Sequence, residues 1–217
     1  WLDFRSGDYN SFLAKWFDEI KAAGGLKGFA STVGDYTPMY KYIITLITYL
    51  PMNSLHSYKM VSCVFDVVLA VFAGLTVRHL LGGKDLAGLM AYAVVLFLPV
   101  VFLNSAVWAQ CDSIYTSFCV MSFYFLLRGR GRLSMALYGV AFSFKLQAVF
   151  FAPAAVVFFL KGRLKFSDLL FFVLAYFLCA LPAVIAGMSL FDALFGAYII
   201  QAGEYARITL NAPNLYQ

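Results

Sequence analysis

The run LSMALYGVAFSFKLQAVFFAPAAVVFFL, residues 133–160, carries a single charge, Lys145, with 12 residues before it and 15 after. Basic clusters flank the run: Arg128, Arg130 and Arg132 ahead of it, Lys161, Arg163 and Lys165 behind. A helix that crosses the hydrocarbon layer needs about 20 apolar residues, and an ammonium at mid-depth costs about 2.5–3.5 kcal/mol on insertion scales. Short loops rich in Lys and Arg stay on the cytoplasmic side. A segment bounded by two such loops must leave that side and come back to it. The spacing therefore predicts a broken, half-length hairpin over 133–160 with Lys145 at its tip. Irregular backbone at that depth is tolerated where it lines a cavity, so a cavity is expected there.

The rest of the chain supports a membrane setting. Of 217 residues 63% are hydrophobic and 12% charged, and the mean hydropathy is +0.81; a soluble domain carries roughly twice that charged fraction. The net charge of +5 sits mainly in short loops between apolar runs, which excludes a nucleic-acid partner and makes the lipid bilayer the first one. Apolar runs at 60–77, 86–103, 113–127 and 169–191 read as further membrane segments. Two of them, 86–103 and 113–127, turn around at 104–112 on the outside. Residues 42–55, short and holding Pro51 and Asn53, do not cross. The expected organisation is an external acidic loop over 1–56, a transmembrane bundle over 57–188, and an external loop over 189–217. The chain begins at Trp1 without a preceding apolar run, so it reads as a fragment lacking a first membrane helix and a C-terminal part.

The first loop holds two Gly-Asp-Tyr repeats, Gly7-Asp8-Tyr9 and Gly34-Asp35-Tyr36. Between them Phe12, Leu13, Trp16, Phe17 and Ile20 share one helical face, with Lys15, Asp18, Glu19 and Lys21 on the other. Asn10 or Ser11 would cap that helix, Gly24-Gly25 would end it, and a shorter one would follow over Leu26–Val33. The expectation is an amphipathic pair lying in the interface; a helix packed on its own protein is the plainer alternative. With these counts, the acidic loop, the 104–112 turn, the Lys145 tip and the tail all face one side. The four cysteines, Cys63, Cys111, Cys119 and Cys179, lack metal-type spacing and read as small apolar residues.

Several stretches in order resemble the C-type glycosyltransferase (GT-C) superfamily, membrane enzymes that use polyprenyl-phosphate sugars. They are the two Gly-Asp-Tyr segments, Asn104 to Tyr115 (NSAVWAQCDSIY), Phe144-Lys145-Leu146-Gln147, and Asn211 to Tyr216 (NAPNLY). The pattern is similar to bacterial proteins like GPI mannosyltransferase II and to the dolichyl-phosphate-glucose glucosyltransferases. Met39 and Cys111 depart from it. The resemblance implies an all-α polytopic bundle of GT-C type, with interfacial helices in the first external loop. It further implies inverting transfer of a hexose, mannose or glucose, from a polyprenyl-phosphate donor to a lipid-linked or secreted glycan at the extracytoplasmic face of the plasma membrane.

The resemblance makes Asp8 the general base; a carboxylate ahead of a helix would also favour the helix dipole. Asp35 stands as a substrate contact or as a turn-former, and Tyr36 as a sugar platform or a headgroup anchor. Asp112 matches the second-loop acid that some members give to a metal or to substrate, so a divalent metal stays open as a cofactor and no metal ligand is assigned. Lys145 and Arg207 are the candidate phosphate contacts, with Gln147 beside them in the substrate-binding set. Asp66, inside a span, is expected to hydrogen-bond within the bundle, and His56 and His79 receive no role. A transporter or flippase would share a broken helix and a buried lysine but needs inverted repeats, which this sequence does not display.

Overall fold

A computed structural model describes residues 2–204, and among them every regular element is helical. The main helices are α1 (Ala14–Ala23), α2 (Pro38–Ile47), α3 (Ser54–Leu80), α4 (Asp85–Leu96), α5 (Pro99–Phe102), α6 (Asp112–Leu127), α7 (Gly131–Phe144), α8 (Ala152–Leu160), α9 (Leu169–Ile185) and α10 (Ala197–Glu204). The bundle runs side by side as α4, α3, α6, α7 and α9. Large apolar side chains such as Val67 and Val71 on α3, Leu89 and Val94 on α4, and Val173 and Leu174 on α9 stay exposed on its outside. In water such a surface would be costly; against lipid it is the required one. The chain is a helical membrane protein.

Two stretches, Ser54–Leu80 and Phe166–Ile185, are single helices long and apolar enough to cross a bilayer. The 86–103 run, expected as one crossing, is instead broken. Its helix stops at Leu96, Leu98 is extended ahead of Pro99, as a residue before proline prefers, and the chain continues to Val107 at a bend of 46°. The 133–160 run also breaks. Lys145 is extended (φ −157°, ψ 137°), a tight 3₁₀ turn follows over Leu146–Phe151, and α8 leads away from it. Met135, Ala155 and Leu164 sit in one buried cluster, so the chain has returned to the end where α7 began. Gly139 permits α7 to lie directly on α9, since a Cβ there would come 2.4 Å from the Phe172 carbonyl oxygen.

The first loop corrects two expectations. The cap is Ser6, whose hydroxyl accepts the Tyr9 N–H at 3.1 Å, and not Asn10 or Ser11. The helical stretch consequently starts earlier, with a wide π turn over Tyr9–Leu13 ahead of α1, and Asp8 falls in its first turn. The apolar face is likewise not turned to the interface. Leu13, Trp16, Phe17 and Ile20 are buried in a cluster with Tyr40, Leu55 and Tyr58. At 27 residues, α3 is about 40 Å long against a hydrocarbon core of about 30 Å. Leu55 and Tyr58, in its first two turns, thus become available as a protein wall for α1. Phe12 alone of the five stays half exposed.

The short helix α2 is locked to α9 through one hydroxyl. Pro182 lies inside α9, and one residue on, the Ala183 N–H donates to the Tyr42 hydroxyl at 2.9 Å. That hydroxyl in turn donates to the Cys179 carbonyl at 3.0 Å. The tyrosine oxygen thus stands in the place of the Cys179–Ala183 helical bond. Tyr42→Phe should cost about 1–3 kcal/mol, because it strands both backbone groups away from water. Thermal unfolding of the purified protein checks this; an unchanged midpoint would mean that α9 closes its own bond instead.

Candidate active site

At the end of the bundle where the 133–160 segment turns, three pieces of chain meet: the first loop, the 104–112 turn and the Lys145 break. Hydrogen bonds tie them together. Ser6 Oγ donates to the Trp108 carbonyl at 2.9 Å. Thr37 Oγ1 donates at 3.0 Å to the Phe144 carbonyl, satisfying one of the free carbonyls that end α7. Gln201 Nε2 on α10 donates at 2.9 Å to the Asp35 carbonyl, so residues 189–204 come back onto the second Gly-Asp-Tyr turn. Deeper in, Ser105 Oγ donates to Asp66 Oδ1 at 2.7 Å, and Ser113 Oγ to the Ser62 carbonyl at 3.2 Å. Asp66 is thereby a structural acceptor of the bundle that pins the 104–112 turn to α3.

Between these pieces lies a cavity of about 600 Å³, bordered by Asp8, Trp16, Asp35, Tyr36, Gln110 and Ile200. The Asp8 carboxylate reaches it and is held by the Gln110 amide, Nε2 to Oδ2 at 2.5 Å, and its other oxygen has no partner among the described residues. Trp16 and Tyr36 form the aromatic wall, edge to face at 5.4 Å between centroids. Gly34 is what lets them close up. Its φ is +70°, and any Cβ would meet the Trp16 indole at 2.4 Å. Burial pushes the Tyr36 phenol up, reinforced by Cys111 and Asp112 nearby, so it remains a neutral donor. Ala109, beside Gln110, holds φ +61° and is fully buried. The Gln110 N–H reaches back to the Asn104 carbonyl at 2.9 Å, the bond that closes a left-handed helix end usually formed with glycine.

Behind Tyr36 stand two more candidates, joined as a pair. Lys145 Nζ donates to Asp112 Oδ1 at 2.5 Å, and Asn104 Nδ2 donates to Asp112 Oδ2 at 3.2 Å. The ammonium also lies 5.5 Å from the Tyr36 ring and 5.9 Å from that of Tyr115, within the range of cation–π attraction. Only 15% of the Lys145 side chain is exposed, against 37% of Asp112. The Lys145 charge thus has an internal partner in Asp112 before any ligand arrives. Asp112 is engaged by Lys145 and Asn104, and no three His, Cys, Asp or Glu converge among the described residues.

The structure brings together Asp8, Asp35 and Tyr36 on one cavity, with Asp112 and Lys145 behind it. Gln147 is exposed on the 3₁₀ turn, apart from the cavity lining, and Arg207 lies outside the described residues. Gln110, Trp16 and Asn104 belong to the site without having been assigned to it. A side-chain amide two residues before an acid, in a polar turn between apolar runs, was the available signal for Gln110.

The family model described as dolichyl-phosphate-mannose-protein mannosyltransferase matches residues 35–188, more than two thirds of the chain. The match takes in Asp35, Tyr36, Asp112, Lys145 and Gln147 and leaves Asp8 outside. No curated protein and no solved structure matches the chain at a significant level.

The ion pair sets a stability test. Lys145→Met strands the Asp112 carboxylate and should destabilise by about 1–3 kcal/mol, less than the 3–5 kcal/mol of a fully buried pair because Asp112 is partly exposed. Adding Asp112→Leu should recover that loss, since apolar replacement of both partners is often neutral. Unfolding midpoints of the single and double variants decide it; a double variant no more stable than the single would mean the pair is not coupled.

Proposed function

The chain belongs to the dolichyl-phosphate-mannose-protein mannosyltransferase family, and from that premise we propose that it moves a hexose, mannose by the family's description, from a polyprenyl-phosphate carrier to an acceptor hydroxyl with inversion. The observation that carries this reading is the joint arrangement at the cavity: an amide-held carboxylate at its mouth, an aromatic wall, and a cation behind that wall. Asp8 takes the proton of the acceptor hydroxyl as its oxygen bonds to the anomeric carbon. The bond from that carbon to the phosphate oxygen breaks on the opposite face. Lys145 offsets the charge that grows on the leaving polyprenyl phosphate. An ammonium has three donors, and Asp112 engages one, so Lys145 can keep its partner and still meet phosphate. Trp16 and Tyr36 offer faces and edges to the sugar ring, and Asp35 is available to its hydroxyls. The acceptor is a glycan or lipid-linked sugar on the extracytoplasmic face.

Two measurements test the proposal. With polyprenyl-phosphate mannose as donor, Asp8→Asn should retain donor binding and lose about 10²–10⁴-fold in transfer, the usual contribution of a general base. Near-normal turnover would move the base to Asp35. The sidedness rests on the basic loops. With the native cysteines replaced, a cysteine at the exposed Leu26 should react with a membrane-impermeant thiol reagent in intact cells. One at Lys161 should stay unlabelled. The opposite pattern would put the cavity on the cytoplasmic face.

A further inference from the structure

At the other end of the hairpin from Lys145, two hollows meet. One, of about 390 Å³, is bordered by Arg130, Arg132, Arg163, Lys165 and Asp168, with Gly129 and Gly162 leaving the backbone open and Gly131 packed against the Asp168 carboxylate. The other, of about 350 Å³, runs between α7, α8 and α9 and is walled by apolar groups including Met135, Tyr138, Ala155, Phe159, Leu164 and Phe172. Along the connecting turn the side chains alternate between them: Arg163 and Lys165 border the first, Leu164 and Phe166 the second. Four cations thus stand at the mouth of an apolar groove. Val156 and Phe166, on the groove's rim, are largely exposed, so it opens sideways from the bundle.

The single acid in the cationic hollow does not neutralise it. Asp168 is buried, and its Oδ2 accepts the Lys165 backbone N–H at 3.0 Å, closing the local turn. Its Oδ1 forms a long ion pair with Arg132, 3.9 Å from Nε, which offsets one of the four positive charges and leaves three. The guanidinium carbons of Arg130 and Arg132 lie over the Phe125 and Phe171 rings, 5.8 and 5.6 Å from the centroids. A cation–π contact of that kind uses no N–H donor, so the fork stays available to an anion.

We propose that this junction binds an anionic phospholipid of the bilayer, its phosphate among Arg130, Arg132, Arg163 and Lys165 and an acyl chain in the α7–α8–α9 groove. The charge and the grease are adjacent at one level of the bundle, which is how a glycerophospholipid carries them. A soluble phosphate would match the cations and leave the groove unfilled; an acidic peptide would do the same. The polyprenyl-phosphate donor is a poor candidate, because α7, at 14 residues, puts about 21 Å between this junction and Lys145. The lipid would clamp α8 against α7 and α9, and so steady the hairpin from below.

The test uses the full-length protein, stripped of lipid and offered an equimolar mixture of phosphatidylglycerol and phosphatidylcholine in detergent, with bound lipid read by native mass spectrometry. Phosphatidylglycerol should be enriched at least 5-fold, since each cation near a headgroup is worth roughly a 5-fold preference. Replacing Arg130, Arg132, Arg163 and Lys165 by Gln should abolish the enrichment. Replacing Lys84 and Arg128 by Gln, two cations outside the junction, should leave it. Val156→Trp, at an exposed rim position, should lower retention of both lipids without altering charge, and it covers the case in which the four-fold variant fails to fold. Excess inorganic phosphate and excess polyprenyl phosphate should not displace the bound phosphatidylglycerol. Equal retention of the two lipids, enrichment that survives the four-fold variant, equal loss in the Lys84 and Arg128 control, unchanged retention in Val156→Trp, or displacement by either phosphate would each overturn the assignment.

Discussion

One largely covered cation organises the site end of this molecule. Lys145 sits where α7 stops, with most of its side chain out of water, and Asp112 meets it from the first turn of α6. An unpaired charge at depth costs enough that the break and the acid must lie together. Bringing them together joins the hairpin to the 104–112 turn. Tyr36 and Tyr115, whose rings lie within 6 Å of the ammonium, close the remaining sides. Charge neutrality is met by Asp112, and of the groups around the ammonium Tyr36 also lines the cavity, so one ring ties the ion pair to the site.

The surrounding scaffold follows the rule that polar groups at membrane depth are satisfied inside the protein. Serines carry much of this. Ser122 and Ser134 hydrogen-bond across α6 and α7 at 2.9 Å, Ser117 donates to the Phe65 carbonyl at 2.9 Å, and Ser105 and Ser113 link the turn to α3. Small hydroxyls allow close helix approach while bonding across the contact. No buried side-chain nitrogen or oxygen among the described residues lacks a partner. The left-handed Ala109 is tolerable on this footing. A non-glycine residue in that region costs about 1–2 kcal/mol, and the bonds that anchor the turn hold it there, aiming Gln110 at Asp8.

The helical class, the membrane setting and the break at Lys145 were legible because each rests on a signal that lipid makes strong: run length, and one charge in a long apolar segment. The bend at Pro99 was legible in principle, as a proline inside an apolar run, and was overridden by the length of that run. The burial of α1 was not legible. Its periodicity shows that one face is apolar but not what covers it, and here the cover comes from Leu55 and Tyr58, more than thirty residues away in the chain. Local capping misled in the same manner. Asn10 and Ser11 were suitable residues, but Ser6, already engaged with Trp108, fixed the start of the helix. Gln110 was missed because an amide has no charge to draw attention; only its distance to Asp8 gives it a role.

Asp8 and Lys145 rest on different supports, and this difference bears on how the cavity could work. Asp8 rides on the first loop, which is fastened to the bundle by the buried face of α1 and by single bonds such as that from Ser6 to Trp108. Lys145 is fixed from within, by an ion pair and two aromatic rings. Between them, Tyr36 belongs to the loop by sequence and to the ion pair by contact. A ligand that pushed on Tyr36 would therefore be felt on both sides at once: on the ammonium through the ring face, and on Trp16 through the edge contact at 5.4 Å. Interfaces packed this closely shift between discrete arrangements and do not deform smoothly. The aromatic wall is thus the part of the site through which occupancy at the ammonium end can reach the carboxylate end.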